Sequence, residues 1–238
     1  MITISEIDTK RFGIKVAKVY LDDSSQVTTA FQNAIALETK LLILRCSTQN
    51  IEIAQKLEEN ECLICDTLLY YKKKPTKTPP ILPFSEYEVI PCNFDDVDKI
   101  KEIATAAFAN YKGHYHADSR LSLNSSNEVY IDWAINRTKE SPFFGVRVKK
   151  ENSIVGFISG QLDKATLIID VPLLAIAPEF QGRGIFTELM AKMENWALQN
   201  NYKTIIYSTQ LQNIAVQKSL VRNGFELQRS LYTFHRWF

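Results

Sequence analysis

No apolar run in the sequence approaches the roughly 20 residues that a membrane-spanning helix needs, so membrane insertion is not expected. The opening residues, Met1 to Asp8, lack the basic-then-apolar pattern of a secretory signal. Charge of one sign is missing too. Lys and Arg total 28 against 27 Asp and Glu, a net charge of +1, which carries no polyanion-binding signature and no expectation of a nucleic-acid partner. Cysteine is absent from the second half of the chain: Cys46, Cys62, Cys65 and Cys92 all precede it. Cys62 and Cys65 have the C-x-x-C spacing of redox motifs and half zinc sites. Their surroundings, Leu63 to Tyr71, read as a strand, and no second Cys or His pair completes a metal set. The expectation is a reduced, cytoplasmic protein without a bound metal.

What is present is an ordinary mixture of apolar and charged residues, enough for one large domain or two small ones. A basic, proline-rich stretch around Pro75, Pro79, Pro80 and Pro83 fits neither a helix nor a central strand and reads as a linker over 74–83. It would divide an amino-terminal αβ lobe, 1–73, from a larger unit, 84–238. The lobe reads as strand Ile14–Leu21, a helix from Ser24 or Ser25 to Glu38, strand Leu41–Leu44, a helix capped by Thr48 and ending near Asn60, and strand Leu63–Tyr71. The larger unit reads as strand Tyr87–Pro91, helix Asp95–Phe108, a polar stretch from Asn110 to Asn127 and helix Glu128–Arg137. Three strands follow (Phe143–Lys149, Ser153–Leu162, Leu167–Ala177), then helix Ile185–Asn200, strand Thr204–Ser208, helix Asn213–Asn223 and strand Phe225–Phe238. The class is α/β, with a mixed α+β sheet.

The two halves share a pattern. Sliding residues 40–71 onto 203–234 without gaps places Gln49, Asn50 and Ile51 on Gln212, Asn213 and Ile214, and Leu57, Asn60 and Leu68 on Leu220, Asn223 and Leu231. Both copies read strand, Asn-started helix, strand. A duplication is expected, with the first copy degenerate because it has no glycine loop.

That loop is the informative feature. A strand ends at Ala177, Pro178 stops the ladder, and Gln181, Gly182, Arg183 and Gly184 lead into an amphipathic helix from Ile185. Glycines let successive backbone N–H groups converge on one point, and the helix adds its own unpaired N–H groups and positive dipole end. The expected ligand is a pyrophosphate.

Residues 174–189 carry the acyl-CoA motif Gln/Arg-x-x-Gly-x-Gly/Ala, and Asn213 to Phe225 the Asn-started helix ending in Gly-Phe, of the Gcn5-related N-acetyltransferase superfamily, which 84–238 resembles. Phe186 departs from it, standing where a small residue is usual. Over its whole length the chain resembles the dTDP-amino-sugar N-acyltransferases, such as the dTDP-fucosamine acetyltransferases, through Ser208, Thr209 and Gln210 with Asn213, and through Ala106, Ala107 and Phe108 followed by an aromatic loop and Trp133. The resemblance implies an acetyltransferase fold with a truncated, degenerate amino-terminal acetyltransferase-like lobe. It implies acyl-CoA as co-substrate, held by Leu174, Ala175, Ile176, Gln181, Gly182, Arg183, Gly184, Ile185, Phe186 and Asn213. It implies direct attack of a dTDP-linked 3- or 4-amino sugar on an acetyl or 3-hydroxybutyryl thioester, in surface-polysaccharide synthesis, with the Ile176 backbone N–H stabilising the oxyanion.

The family's proton-donating tyrosine is replaced by Leu220. Either no side chain protonates the leaving sulfur, the favoured reading, or Tyr207 does. The acceptor site is expected in the loop holding His114, Tyr115, His116, Asp118 and Arg120, with His116 as candidate base and Arg120 facing a phosphate. His235 is expected to be structural. Another amine acceptor (a protein N-terminus, a polyamine, an antibiotic) or a non-catalytic acyl-CoA-binding role stays open, as does the choice between monomer and homodimer.

Overall fold

The structure is a computed structural model and describes residues 1–76 and 86–238. Most of the stretch expected as a linker therefore lies outside the described residues. In chain order the elements are β1 (Thr3–Ile4), α1 (Glu6–Phe12), β2 (Val16–Leu21), α2 (Gln26–Ala36), β3 (Leu41–Ser47), α3 (Ile51–Glu59), β4 (Leu63–Lys73), β5 (Tyr87–Pro91), α4 (Val97–Phe108), α5 (His114–Ala117) and α6 (Leu123–Arg137). Then come β6 (Phe143–Val148), β7 (Ser153–Asp163), β8 (Ile168–Ile176), α7 (Ile185–Gln199), β9 (Thr204–Gln210), α8 (Ile214–Arg222) and β10 (Glu226–Trp237). Helices and strands are both present and the sheet is mixed, as expected.

Differences from the expected elements have local causes. Helix α1 is an addition. It is seven residues long, has no side-chain cap at Ser5, and ends at Gly13 in a left-handed conformation. Thr48 does not cap α3, because its hydroxyl bonds Ser230 Oγ at 2.5 Å. Asn50 is the cap, accepting from Ile53 N at 3.4 Å. Helix α6 begins five residues before the expected Glu128, because Ser122 caps it through Ser125 N. The short α5 sits inside the stretch expected to be irregular.

The ten strands form one sheet in the order β1-β2-β3-β10-β4-β9-β8-β7-β6-β5. Strand β10 lies between β3 and β4, antiparallel to both. The repeat is visible in the register. Leu231 pairs with Ser47 across β10 and β3, and Leu68 pairs with Gln210 across β4 and β9. Each partner pair maps onto the other by the Lys40-to-Lys203 offset. The central Leu68–Leu231 pair maps onto itself, so a local two-fold passes through it. Asn50 and Asn213 cap helices of nine residues each in the same way.

Alternation along the strands divides the core between faces. Leu42 and Leu44 join the cluster under α2 and α3, while Leu41 and Ile43 join the one with α4 and α6. Met190, Met193 and Ala197 of α7 pack on Ile169, Val171 and Ile205 in a third cluster. Each fully buried aliphatic side chain contributes roughly 1.5–3 kcal/mol.

Candidate functional site

Strands β8 and β9 run parallel, and their pairing ends at Val171 and Tyr207. The next residue of β8 is Pro172, which has no N–H to continue the ladder. Beyond it the strands part. Strand β9 stays with β4 as far as Gln210, while β8 stays with β7. Ala177 N donates to Val155 O at 2.8 Å, making that a bonded pair. Antiparallel pairs alternate, so Ile176, opposite Gly156, turns its N–H and C=O away from β7 toward the gap. Gln181 Nε2 reaches that carbonyl at 3.1 Å.

The glycine loop follows directly. Gly182 and Gly184 have φ of 74° and 84°, the left-handed region that favours glycine. Gly184 is the N-cap of α7. The amides of residues 182–186 find no acceptor among the described residues, so five successive donors are free at a helix N-terminus. Arg183 lies over the Phe180 ring at 5.2 Å. Phe186 packs at 6.0 Å from the Tyr207 ring. Asn213 accepts from Val216 N at 3.4 Å as the cap of α8.

A cavity of about 810 Å³ fills the gap. Leu174, Ala175, Ile176, Gln181, Phe186 and Asn213 form its wall on the loop side. Tyr207 also lines it, and burial raises its phenol pKa well above the ordinary value, keeping it protonated at neutral pH. Leu220 is fully buried in the α7 cluster and is not part of the lining.

The opposite wall comes partly from the first half of the chain. Arg45, Thr233 and Asp66 are direct cross-strand partners in a row over β3, β10 and β4. Arg45 and Asp66 line the cavity. Arg45 Nε, Thr233 Oγ1 and Asp66 Oδ1 are each buried without a hydrogen-bond partner. Such atoms cost free energy when left unpaired, so three in register mark a place where a polar ligand completes the bonding. Burial raises the Asp66 pKa to about 6, against the Thr67 amide, Arg45 and Gln210. The only sequence signal was a charged residue inside an apolar strand, Arg45 among leucines and Asp66 before Leu68 and Leu69.

The expected acceptor loop is divided. His114 and Tyr115 line the cavity; His116, Asp118 and Arg120 do not. Both ring nitrogens of His116 are occupied: Nδ1 accepts from Gly113 N at 3.2 Å, and Nε2 lies 3.0 Å from Asn127 Oδ1. Arg120 holds Asp118 through Nε at 2.8 Å and stacks over Trp237 at 5.0 Å. Cys62 and Cys65 are thiols, because burial pushes their pKa to about 11 and about 12. Among the described residues no helix is long and apolar enough to cross a membrane.

Comparison with known proteins agrees with this geometry. The family model "Acetyltransferase (GNAT) family" matches residues 98–225, the span holding the splayed strands, the loop and the Asn-capped helix. The spore coat polysaccharide biosynthesis protein SpsD of Bacillus subtilis (strain 168) is 26% identical over 204 residues, covering 84% of this chain and 68% of that protein. Among solved structures, a GCN5-related N-acetyltransferase from Sphaerobacter thermophilus superposes with a TM-score of 0.69 at 10% identity, covering 99% of this chain and 76% of that one. A tandem GNAT protein from the clavulanic acid biosynthesis pathway gives 0.65 at 10% identity, covering 94% and 76%. At these identities the structures speak to the fold alone.

Proposed function

Because the chain belongs to the acetyltransferase (GNAT) family, we propose that it is an acyl-CoA-dependent N-acyltransferase acting on the amine of a dTDP-linked 3- or 4-amino-dideoxyhexose, for surface-polysaccharide synthesis. The observation that carries the acyl-CoA half is the coincidence of five free amides at 182–186 with a strand edge opened at Pro172. The amides suit the coenzyme's pyrophosphate. The edge lets the pantetheine arm lie along β8 and brings the thioester carbonyl to Ile176 N–H. Loss of one such oxyanion donor costs about 10²–10³ in rate in other enzymes. The acetyl group is the default, and 3-hydroxybutyryl remains open.

The acceptor half rests on the polar wall and on the relative. Arg45 and Asp66 offer a cation and a carboxylate to one molecule, which suits a sugar nucleotide with phosphate and amine or hydroxyl groups. SpsD is named for polysaccharide biosynthesis. Arg45, rather than Arg120, is the residue proposed for the phosphate, since Arg120 is committed to Asp118.

Departure of the thiol needs no side-chain acid. A thiol of pKa about 8.5 leaves as thiolate near pH 7 for roughly 2 kcal/mol. Tyr207→Phe is accordingly expected to keep kcat within about tenfold, below the 10²–10⁴ typical of a general acid. A larger loss would assign that role to Tyr207.

The direct test is thiol release from acetyl-CoA with purified protein and dTDP-amino-dideoxyhexoses. The reading fails if no amino-sugar nucleotide supports release with any short acyl-CoA. Turnover of a polyamine or peptide amine, without thermal protection by dTDP, would move the acceptor elsewhere.

A further inference from the structure

Three groups behind the cavity form a hydrogen-bonded chain. Asp118 Oδ2 lies 3.0 Å from His235 Nδ1, and His235 Nε2 lies 2.9 Å from His114 Nδ1. Asp118 and His235 are fully enclosed, and His114 is 7% exposed and lines the cavity. The residues come from α5, the turn after it, and β10, so packing and not sequence proximity assembles them.

The hydrogen positions follow from chemistry. Burial would raise the Asp118 pKa, but bonds from His235, Arg120 and Trp237 hold it well below the usual carboxylate range. An ionised carboxylate only accepts, so His235 carries its proton on Nδ1. A neutral His235 then has a bare Nε2, which accepts from His114 Nδ1–H. His114 is left with a lone pair on Nε2, which bonds no described residue and belongs to a ring on the cavity wall. A metal reading of the neighbouring Cys65, Asp118 and His235, whose ligand atoms lie within 4.8 Å of one another, is disfavoured, because both His235 nitrogens and both Asp118 oxygens are already bonded.

Resting on the acyltransfer reading above, we infer that His114 Nε2 is the base that deprotonates the acceptor ammonium, with His235 and Asp118 as positioning residues that set its tautomer. The ammonium gives one proton to Nε2, and the freed nitrogen lone pair attacks the thioester carbonyl. The C–N bond forms, the C–S bond breaks, and the thiolate leaves. The protonated amide nitrogen passes its extra proton to the thiolate, directly or through water, giving amide and free thiol. The His114 imidazolium returns its proton to solvent. Burial above all, with His235, Arg45 and Lys18 adding to it, holds the His114 pKa well below the ordinary imidazole value, so the resting ring is neutral and its Nε2 lone pair is available.

Two measurements separate this inference from the reading it rests on. With 15N-labelled histidine, NMR of the unliganded protein at pH 7 should show Nδ1 protonated and Nε2 bare on both His114 and His235. A proton on His114 Nε2 overturns the base whatever the substrate. In the thiol-release assay, His114→Gln should lower kcat about 100-fold or more with acetyl-CoA binding unchanged, and imidazole should restore part of the activity of His114→Ala. His235→Phe should lower kcat about tenfold without moving the acetyl-CoA Kd. An active wild type with an equally active His114→Gln overturns the base alone. A wild type inactive on every amine overturns the acyltransfer reading and the base with it. Acetyl-CoA binding by each variant distinguishes lost chemistry from lost fold.

Discussion

Asp66 shows what a single side chain contributes and costs. Its folded pKa, raised to about 6 by burial, means that the protonated form is favoured inside the protein. The stability is complete below the ordinary carboxylate pKa and is lost as pH rises through about 6. Asp66→Asn removes that loss. Thermal unfolding at pH 7.5 should show the variant roughly 2–3 kcal/mol more stable, with the gap closing toward pH 4. Acceptor turnover should fall in the same variant, because the carboxylate facing the cavity is gone. A variant less stable than wild type at pH 7.5 would contradict the assigned cause. Neither Asp66 nor Arg45 was legible as a candidate site residue, because their common neighbour, Thr233, is more than 160 positions away in the chain. The glycines at 182 and 184 were legible, since a loop's backbone demands are written in the residues that meet them.

At the scale of elements, the loop and the two Asn-capped helices make different demands. Gly184 sits at φ 84° as the cap of α7, so a side chain there strains the backbone by about 1–2 kcal/mol at the loop proposed to hold the pyrophosphate. Gly184→Val should raise the acetyl-CoA Kd by at least tenfold while circular dichroism stays that of the wild type. Unchanged affinity would place the pyrophosphate elsewhere. The caps invite a paired comparison. Asn50→Ala and Asn213→Ala should each cost about 1 kcal/mol in chemical denaturation, because the two helices have one construction. Most elements were readable from hydrophobic periodicity and caps. Helix α1 was not, because seven residues without a capping side chain carry little periodic signal. The start of α6 was missed because Asn124, Ser125 and Asn127 read as loop, although Ser122 is a good cap.

The whole molecule rests on an exchange between its halves. Strand β10 fills the space between β3 and β4, and β4 covers β9. A fragment of residues 84–238 keeps the glycine loop but strips β10 of both neighbours and opens the edge of β9. Expressed alone, it should elute as aggregate and give collapsed amide dispersion in NMR, and adding a 1–76 fragment should recover part of the signal. A well-dispersed monomeric fragment would show that the larger unit is autonomous. This interleaving was not visible beforehand: the internal repeat announced two similar units, and nothing in the spacing said that each would finish the other's sheet. The register, in which Leu68 and Leu231 meet on a local two-fold, supplies the reason.

That placement also has a temporal side. Strand β10 follows, in the chain, every strand it joins. During synthesis, β3 and β4 leave the ribosome before the strand that pairs with both of them exists, and their facing edges wait for most of the remaining chain. Until then two unsatisfied strand edges face the crowded cell, the state in which nascent chains pair wrongly or are captured by chaperones.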